Sequence, residues 1–233
     1  MIRPDHAEVV TDFDAFGITA LTTTRAFGTL GGASDEPAQV AARWDALRAE
    51  AAQAGVHRLA TSRQVHGAHV LTHEPGWSGW RRAGEADGHL SLERGTAVAV
   101  TVADCVPVFI GHPSGAVALL HSGWRGTEAR IVEQGIAAFA ARGFAAGDLH
   151  IHLGPAICGS CYEVSADVAT RLLGAPSPTQ PVDLGAIIVG HARMLGVRAI
   201  TTSSRCTKCD NDRFFSHRAG DSGRQVALAY AAP

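Results

Sequence analysis

Three short apolar runs in the middle of the chain limit its fold more than any other feature. They cover residues 97–102, 106–110 and 116–120, and the second and third flank the turn sequence His112-Pro113-Ser114-Gly115. Short apolar runs bounded by turn residues are typical of buried strands. The sequence therefore predicts a β-sheet at the centre of the protein.

Further strands are predicted at residues 18–24, 59–61, 65–71, 150–153, 197–201 and 224–230. Helices are predicted between Pro37 and the terminator Gly55, over 127–142, and over 184–195. Residues 75–88 and 174–181 are predicted to be surface loops. Because strands and helices mix without strict alternation, we predict an α/β or α+β fold with mixed sheets, helices outside, and a single domain over residues 1–233.

Charge and hydropathy exclude several classes of protein. Lys and Arg total 20 against 22 Asp and Glu, which gives a net charge of −2 and argues against a basic nucleic-acid-binding protein. No apolar run approaches the roughly 18 residues of a membrane span, and the first residues contain no apolar signal-peptide core. We expect a soluble, cytoplasmic protein with neither a nucleic acid nor a membrane as partner.

Histidine and cysteine are the chemically informative residues, at 12 and five per chain. His66, Cys105 and His121 each lie near the end of a predicted strand. One thiolate and two imidazoles suit zinc and leave a fourth position open, as in catalytic zinc sites, where the metal acidifies a water. The alternative is that the histidines are hydrogen-bonded structural residues and Cys105 is a small buried apolar residue.

The other four cysteines form two Cys-x-x-Cys pairs, Cys158 with Cys161 and Cys206 with Cys209. In a reducing compartment this pattern indicates metal or catalysis before disulfides. The two pairs could close a four-thiolate structural zinc site. Four reduced thiols, or one disulfide, remain the alternative.

Six motifs in order along the chain resemble the YfiH-like family, also called the multicopper polyphenol oxidoreductase (laccase) domain family. They are Gln64-Val65-His66-Gly67, Ala86-Asp87-Gly88, Val102-Ala103-Asp104-Cys105-Val106-Pro107, His121-Ser122-Gly123-Trp124-Arg125-Gly126, Gly154-Pro155-Ala156-Ile157 with Tyr162-Glu163-Val164, and Phe214-Phe215-Ser216-His217-Arg218. The resemblance implies two packed mixed sheets with helices on the outer faces. It also implies zinc or copper on His66, Cys105 and His121.

The activity that the resemblance implies is metal-dependent chemistry on purine nucleosides. It comprises phosphorolysis of adenosine, inosine and methylthioadenosine, and deamination of adenosine. The expected partners are therefore a purine nucleoside and phosphate, and a homodimer is left open.

Phosphorolysis requires phosphate beside the ribose, and the planar guanidinium of Arg suits phosphate oxygens. Arg125 is the first candidate, and Arg25 and Gln64 are the other candidates for substrate or phosphate binding. Arg25 begins the Gly-rich stretch 25–34, which is longer than the family's corresponding segment. Asp104 and His217 are candidate proton carriers, because a leaving purine needs a proton, and together with Arg125 they are the candidate catalytic residues. Asp104 could instead orient a ligand histidine.

Two other functions fit the same residues. The first is a Cys–His hydrolase or deamidase with Cys105 as nucleophile and His121 or His66 as base, suggested by fold-level analogy to the catalytic domain of cytotoxic necrotizing factor. The second is a polyphenol oxidoreductase. Multicopper chemistry uses repeated His-x-His pairs, and because only His150-Ile151-His152 has that form here, we do not expect multicopper chemistry. A non-catalytic module with a purely structural zinc is a further alternative.

Overall fold

The computed structural model describes residues 5–32 and 35–233. The last two residues of the Gly-rich stretch 25–34 therefore lie outside the described part. Within the described ranges, the strands form two mixed six-stranded sheets and one small two-stranded sheet. None of the described helices is long and apolar enough to cross a membrane.

The first sheet contains the first and last described strands and the first buried run. Its strands, in spatial order, are β1 (Ala7–Val10), β2 (Ile18–Thr23), β14 (Gln225–Ala231), β7 (Thr96–Val102), β3 (Arg58–Arg63) and β5 (Gly79–Glu85). The pairs β7–β3 and β3–β5 are parallel, and the others are antiparallel.

The second sheet contains the other two buried runs. Its order is β13 (Ala199–Thr202), β10 (His150–Leu153), β8 (Val106–Gly111), β9 (Val117–Ser122), β6 (Gly88–Ser91) and β4 (Val70–His73). Both outermost pairs are parallel, and the central ladder is antiparallel. The small sheet pairs β11 (Glu163–Val164) with β12 (Gln180–Pro181).

The helices are α1 (Pro37–Gln53), α2 (Trp124–Glu128), α3 (Ile131–Ala140), α4 (Ala166–Leu173) and α5 (Leu184–Met194). Side chains such as Val98 and Leu119 form an apolar core between the two large sheets. Helix α1 packs Leu47 on the outer face of the first sheet, and α3 and α5 pack Ile136 and Ile188 on that of the second. The predicted fold class is thus confirmed.

Two predicted elements around the site are wrong. The predicted loop 75–88 contains β5, whose polar sequence reflects its place at the edge of the first sheet, where its side chains are only partly covered. The predicted strand 65–71 exists only from Val70 onward. The preceding backbone N–H groups of Val65, His66 and Gly67 instead donate to one carboxylate, that of Asp87.

The helix predicted over 127–142 is also interrupted. Arg130 adopts a left-handed backbone conformation with φ of 60°, which separates α2 from α3. Helix α4 was not predicted at all, although its N-terminus is capped by the Ser165 side chain and it ends at Gly174 in a left-handed conformation. These breaks place α2 directly after β9, against the predicted site.

Candidate functional site

The three candidate metal ligands come together where strands of both sheets end. His66 follows β3, Cys105 lies between β7 and β8, and His121 lies on β9. Their ligand atoms all lie within 4.8 Å of one another. His121 is buried, Cys105 is half-buried and His66 is exposed, so the cluster is accessible from the His66 side.

Asp87, immediately before β6, connects this cluster to the backbone. Its Oδ1 accepts hydrogen bonds from His121 Nδ1 at 2.8 Å and from the His66 N–H at 2.9 Å. Its Oδ2 accepts from the N–H groups of Val65 at 3.1 Å and Gly67 at 2.7 Å. Because Nδ1 of His121 is engaged in this way, Nε2 is the ring nitrogen left for a metal.

Local backbone conformation orients the side chains of the candidate metal ligands. His66 and Asp104, the residue before Cys105, both have positive φ, at 60° and 82°. Gly123 packs so closely that a Cβ there would lie 2.8 Å from Cys105 Sγ and 3.4 Å from His66 Cδ2. Only glycine leaves the two side chains their present positions.

Charge within the cluster shifts the pKa values of Cys105 and His121. Burial would raise the pKa of the Cys105 thiol, but the charge of His121 and hydrogen bonds from His121 and His66 lower that pKa to about 6. Burial would lower the pKa of His121, but the Cys105 thiolate and the hydrogen bond to Asp87 raise that pKa to about 9. Cys105 is thus in the thiolate form that binds metal, whereas His121 carries a proton on Nε2 that a metal would displace.

The donor set fits a zinc or copper ion in its chemistry. One sulfur and two imidazoles are soft to borderline ligands, and they leave a position open in a four-coordinate site. The carboxylate of Asp87 orients His121 as carboxylates orient metal-binding histidines in general. The residues therefore suit a metal that also contacts substrate.

A cavity of about 300 Å³ opens beside the cluster. That volume lies at the lower end of the range for small-molecule sites. Its lining includes His66, Asp104, Cys105, Arg125, Tyr162 and His217. The structure thus brings two of the predicted metal ligands, His66 and Cys105, and all three predicted catalytic residues to one cavity, with His121 buried next to the two ligands.

Comparison with known proteins identifies the family. The family model described as multi-copper polyphenol oxidoreductase laccase matches residues 24–232, nearly the whole chain. The chain belongs to this laccase-like family. A purine nucleoside phosphorylase of Streptomyces coelicolor is 33% identical over 211 residues, which cover 86% of each chain.

Solved structures share the fold of this chain. The crystal structure of YlmD from Geobacillus stearothermophilus superposes with a TM-score of 0.82 at 29% identity, covering 94% of each chain. The YfiH protein of Bacillus licheniformis superposes with a TM-score of 0.85, covering 99% of this chain and 98% of that one. At 22% identity, this second likeness concerns the fold alone.

The family description names several coppers, whereas the described residues of this laccase-like chain gather histidine at one candidate metal site. Across residues 5–32 and 35–233, the clusters of three or more candidate ligands are the His66 cluster and one made of cysteines alone. His152, from the His-x-His sequence, instead contacts Asp12 and Thr201. The donor set thus suits a single ion beside the cavity.

Arg25 and Gln64 lie outside the cavity lining. The guanidinium of Arg25 forms an ion pair with Asp221 at 2.6 Å and donates to the carbonyl oxygens of Asn211 and Phe214. The Gln64 amide donates to the Thr101 carbonyl and accepts from its N–H, both at 2.8 Å. The side chains of both predicted substrate ligands thus bond to other residues of the protein, and neither residue is part of the site described here.

Asp87 belongs to one of the six motifs, but its role was not predicted from the sequence. An Asp-Gly pair usually indicates a turn, and only the folded chain shows the four hydrogen bonds that its carboxylate accepts. Tyr162 was likewise unassigned. Burial, followed by the charge of Cys105, raises the pKa of its phenol to about 12, so it lines the cavity as a neutral hydroxyl.

Proposed function

We propose that this protein is a metal-dependent purine nucleoside phosphorylase that cleaves adenosine, inosine and methylthioadenosine and also deaminates adenosine. Relatives named purine nucleoside phosphorylase support the reaction class. The observation that carries the proposal is one cavity lined by His66 and Cys105 of the metal-ligand cluster and by an uncommitted arginine, Arg125. Phosphorolysis needs such a cation for phosphate next to a group that activates the nucleoside.

Arg125 is suited to hold phosphate. Its guanidinium stacks over the Trp124 ring at 4.3 Å, and among the described residues no acidic side chain or carbonyl accepts a hydrogen bond from it. Stacking fixes the plane of the guanidinium and leaves its N–H donors pointing away from the ring. Phosphate oxygens in the cavity can therefore accept a pair of charge-assisted hydrogen bonds.

The metal would be held by His66, Cys105 and His121. When bound, zinc would supply Lewis acidity toward an oxygen atom of the substrate or of water. Asp87 keeps His121 in the tautomer with Nε2 free, and Gly123 leaves room for Cys105 beside the ring of His66.

His217 is the better placed of the two candidate proton carriers. Its imidazole lines the cavity, and within residues 5–32 and 35–233 it has no hydrogen-bond partner from the protein. Both oxygens of Asp104 already accept hydrogen bonds at 2.6 Å, from the Thr207 hydroxyl and the Arg218 N–H. We assign to His217 the proton for the departing purine and to Asp104 the positioning of the segment that carries His217.

The test separates the two reactions at Arg125. Phosphorolysis places phosphate in the cavity, whereas deamination uses water. Arg125→Ala should lower kcat/KM for phosphorolysis about ten- to a hundredfold, because one or two charge-assisted contacts worth about 1.5–3 kcal/mol are lost. Arg125→Lys should recover only part of this, because an ammonium cannot present the planar pair of donors.

Arg171→Ala is the matched control. Arg171 also lies over the Trp124 ring, at 5.3 Å, but its Nε donates to Glu128 and it lies outside the cavity lining. Its removal should leave both activities nearly unchanged. Equal losses of phosphorolysis and deamination in Arg125→Ala would overturn the phosphate role.

A second candidate, a Cys–His hydrolase, is favoured by one specific observation. Cys105 hydrogen-bonds to His121, which hydrogen-bonds to Asp87, in the order nucleophile, base and orienting carboxylate. The two candidates differ in their response to metal removal. A chelator should abolish nucleoside phosphorolysis, whereas a hydrolase would gain activity and iodoacetamide reactivity as Cys105 is released.

A further inference from the structure

A second cluster of sulfur ligands lies apart from the His66, Cys105, His121 cluster. Cys158 precedes a short 3-10 turn after β10 and Cys161 is its last residue, and Cys206 and Cys209 lie in a turn after β13. A parallel bridge between Ala156 and Cys206 brings the two segments together. All four Sγ atoms lie within 4.8 Å of one another.

The sulfur spacing matches a metal and not a disulfide. Cys161 Sγ and Cys209 Sγ are 3.5 Å apart, whereas bonded sulfurs lie about 2.05 Å apart. A tetrahedral ion with four Zn–S bonds of about 2.3 Å separates its sulfurs by roughly 3.8 Å. The 3.5 Å separation lies close to that value, and the other sulfur pairs lie within 4.8 Å.

Two backbone N–H groups converge on one sulfur of the cluster. The N–H groups of Cys158 and Cys209 both donate to Cys206 Sγ, at 3.3 and 3.4 Å. The first of these bonds joins the two Cys-x-x-Cys segments, and the second lies within the Cys206–Cys209 segment. Hydrogen bonds of this kind orient a ligand atom toward a metal.

Packing offers no other reason for the cluster. Cys209 is exposed, Cys158 and Cys161 are half-buried, and only Cys206 is buried, at 6% exposure. The three thiols near solvent gain little from burial. The segments joined here also have little regular structure of their own.

We propose that Cys158, Cys161, Cys206 and Cys209 bind a second metal ion, a structural zinc, separate from the metal at Cys105. Four thiolates and no open position are typical of structural zinc sites. Its ligation would join the segment after β10 to the segment after β13 and contribute directly to folding free energy.

The position of this zinc also explains how it would support the cavity. Thr207, between two of its ligands, donates to Asp104 at 2.6 Å, next to Cys105. Tyr162, which lines the cavity, directly follows Cys161. The tetrathiolate therefore lies behind the cavity wall and holds it in place without contacting substrate.

Metal content per chain, measured on protein purified with zinc, tests the proposal without any activity assay. Cys209→Ser should remove about one zinc per chain and lower Tm, and Cys105→Ser should remove a different one. The double variant should lose both. Lys208→Ala is the matched control, because Lys208 lies between two of the ligands and offers no sulfur.

A second measurement covers the case in which Cys209→Ser fails to fold. In zinc-loaded wild type, the thiols of the four cysteines should be protected from a thiol reagent and released by a strong chelator. Co²⁺ bound in the Cys105→Ser background should show the absorption of a tetrahedral tetrathiolate. Unchanged zinc content in Cys209→Ser, four reactive thiols in the loaded protein, or a Cys161–Cys209 disulfide in a peptide map would each overturn the proposal.

Discussion

Replacing Asp87 by Asn should weaken the metal site and destabilise the protein together. The substitution keeps the size of the side chain and changes one oxygen to an NH₂ group. Oδ1 of Asp87 faces two donors, His121 Nδ1 and the His66 N–H, and Oδ2 faces two others, the N–H groups of Val65 and Gly67. In either orientation the new NH₂ group therefore faces two donors and can accept from neither.

The magnitude follows from those contacts. Each hydrogen bond to a charged, buried group contributes about 1.5–3 kcal/mol, so losing two should cost about 3–6 kcal/mol before the turn relaxes. The carboxylate that orients His121 is lost at the same time. Loss of such a partner typically weakens metal binding about 10- to 100-fold.

Two measurements check this prediction. Urea unfolding of the metal-free protein reports the free energy of unfolding, and competition with a chromophoric chelator reports the zinc Kd. Asp12→Asn is the control, because Asp12 also pairs with a histidine, His152 Nδ1 at 2.8 Å, but on a partly exposed surface outside the cavity. Its loss should cost less than about 1 kcal/mol and leave zinc affinity unchanged.

The reasoning is refuted if Asp87→Asn and Asp12→Asn behave alike. A variant that unfolds at the wild-type urea concentration would show that the turn 65–67 is held by other contacts. Destabilisation with unchanged zinc affinity would show that His121 is oriented without its carboxylate partner.

Two further predictions follow from neighbouring contacts. Gly123→Ala should weaken zinc binding while changing Tm little, because the new Cβ would lie 2.8 Å from Cys105 Sγ and would displace that sulfur. Wild-type zinc affinity in this variant would contradict the prediction. His73, His89 and Ser62 are joined in series by hydrogen bonds that require neutral imidazole rings. Burial, followed by the charge of His73, lowers the pKa of His89 to about 3. In the unfolded chain the pKa of a histidine is about 6.5, so as the pH falls below that value protonation of His89 favours unfolding. By about pH 5 this should therefore cost about 2 kcal/mol of stability. Urea unfolding of wild type and His89→Gln should show this difference, and a gap that is independent of pH would contradict it.

The central strands were predictable because burial on both faces leaves little ambiguity. The runs 97–102, 106–110 and 116–120 correspond to Thr96–Val102, Val106–Gly111 and Val117–Ser122, which are buried almost throughout. Strand β5 was not predictable in the same way. As an edge strand it keeps polar side chains, and its sequence Gly-Trp-Arg-Arg-Ala-Gly-Glu has the composition of a loop.

At the site, the functional residues were more predictable than their hydrogen-bond and ion-pair partners. The motifs indicated His66, Cys105 and His121, and these three do come together. Nothing local to Arg25 shows that Asp221, 196 positions later, takes its guanidinium. Long-range partners of this kind decide whether a polar side chain is available to a substrate, and a single sequence does not contain them.

Two buried carboxylates explain how irregular segments form a precise site. Left-handed backbone at a residue other than glycine costs on the order of 1 kcal/mol or more, and it persists where surrounding contacts determine it. The carboxylate of Asp87 fixes the conformation around His66 through three N–H groups. Asp104, itself left-handed, fixes the segment of His217 through the Arg218 N–H and the second cysteine pair through Thr207. The geometry of the cavity thus depends on carboxylate-to-loop hydrogen bonds, so variants at these two aspartates should disturb metal binding and stability together.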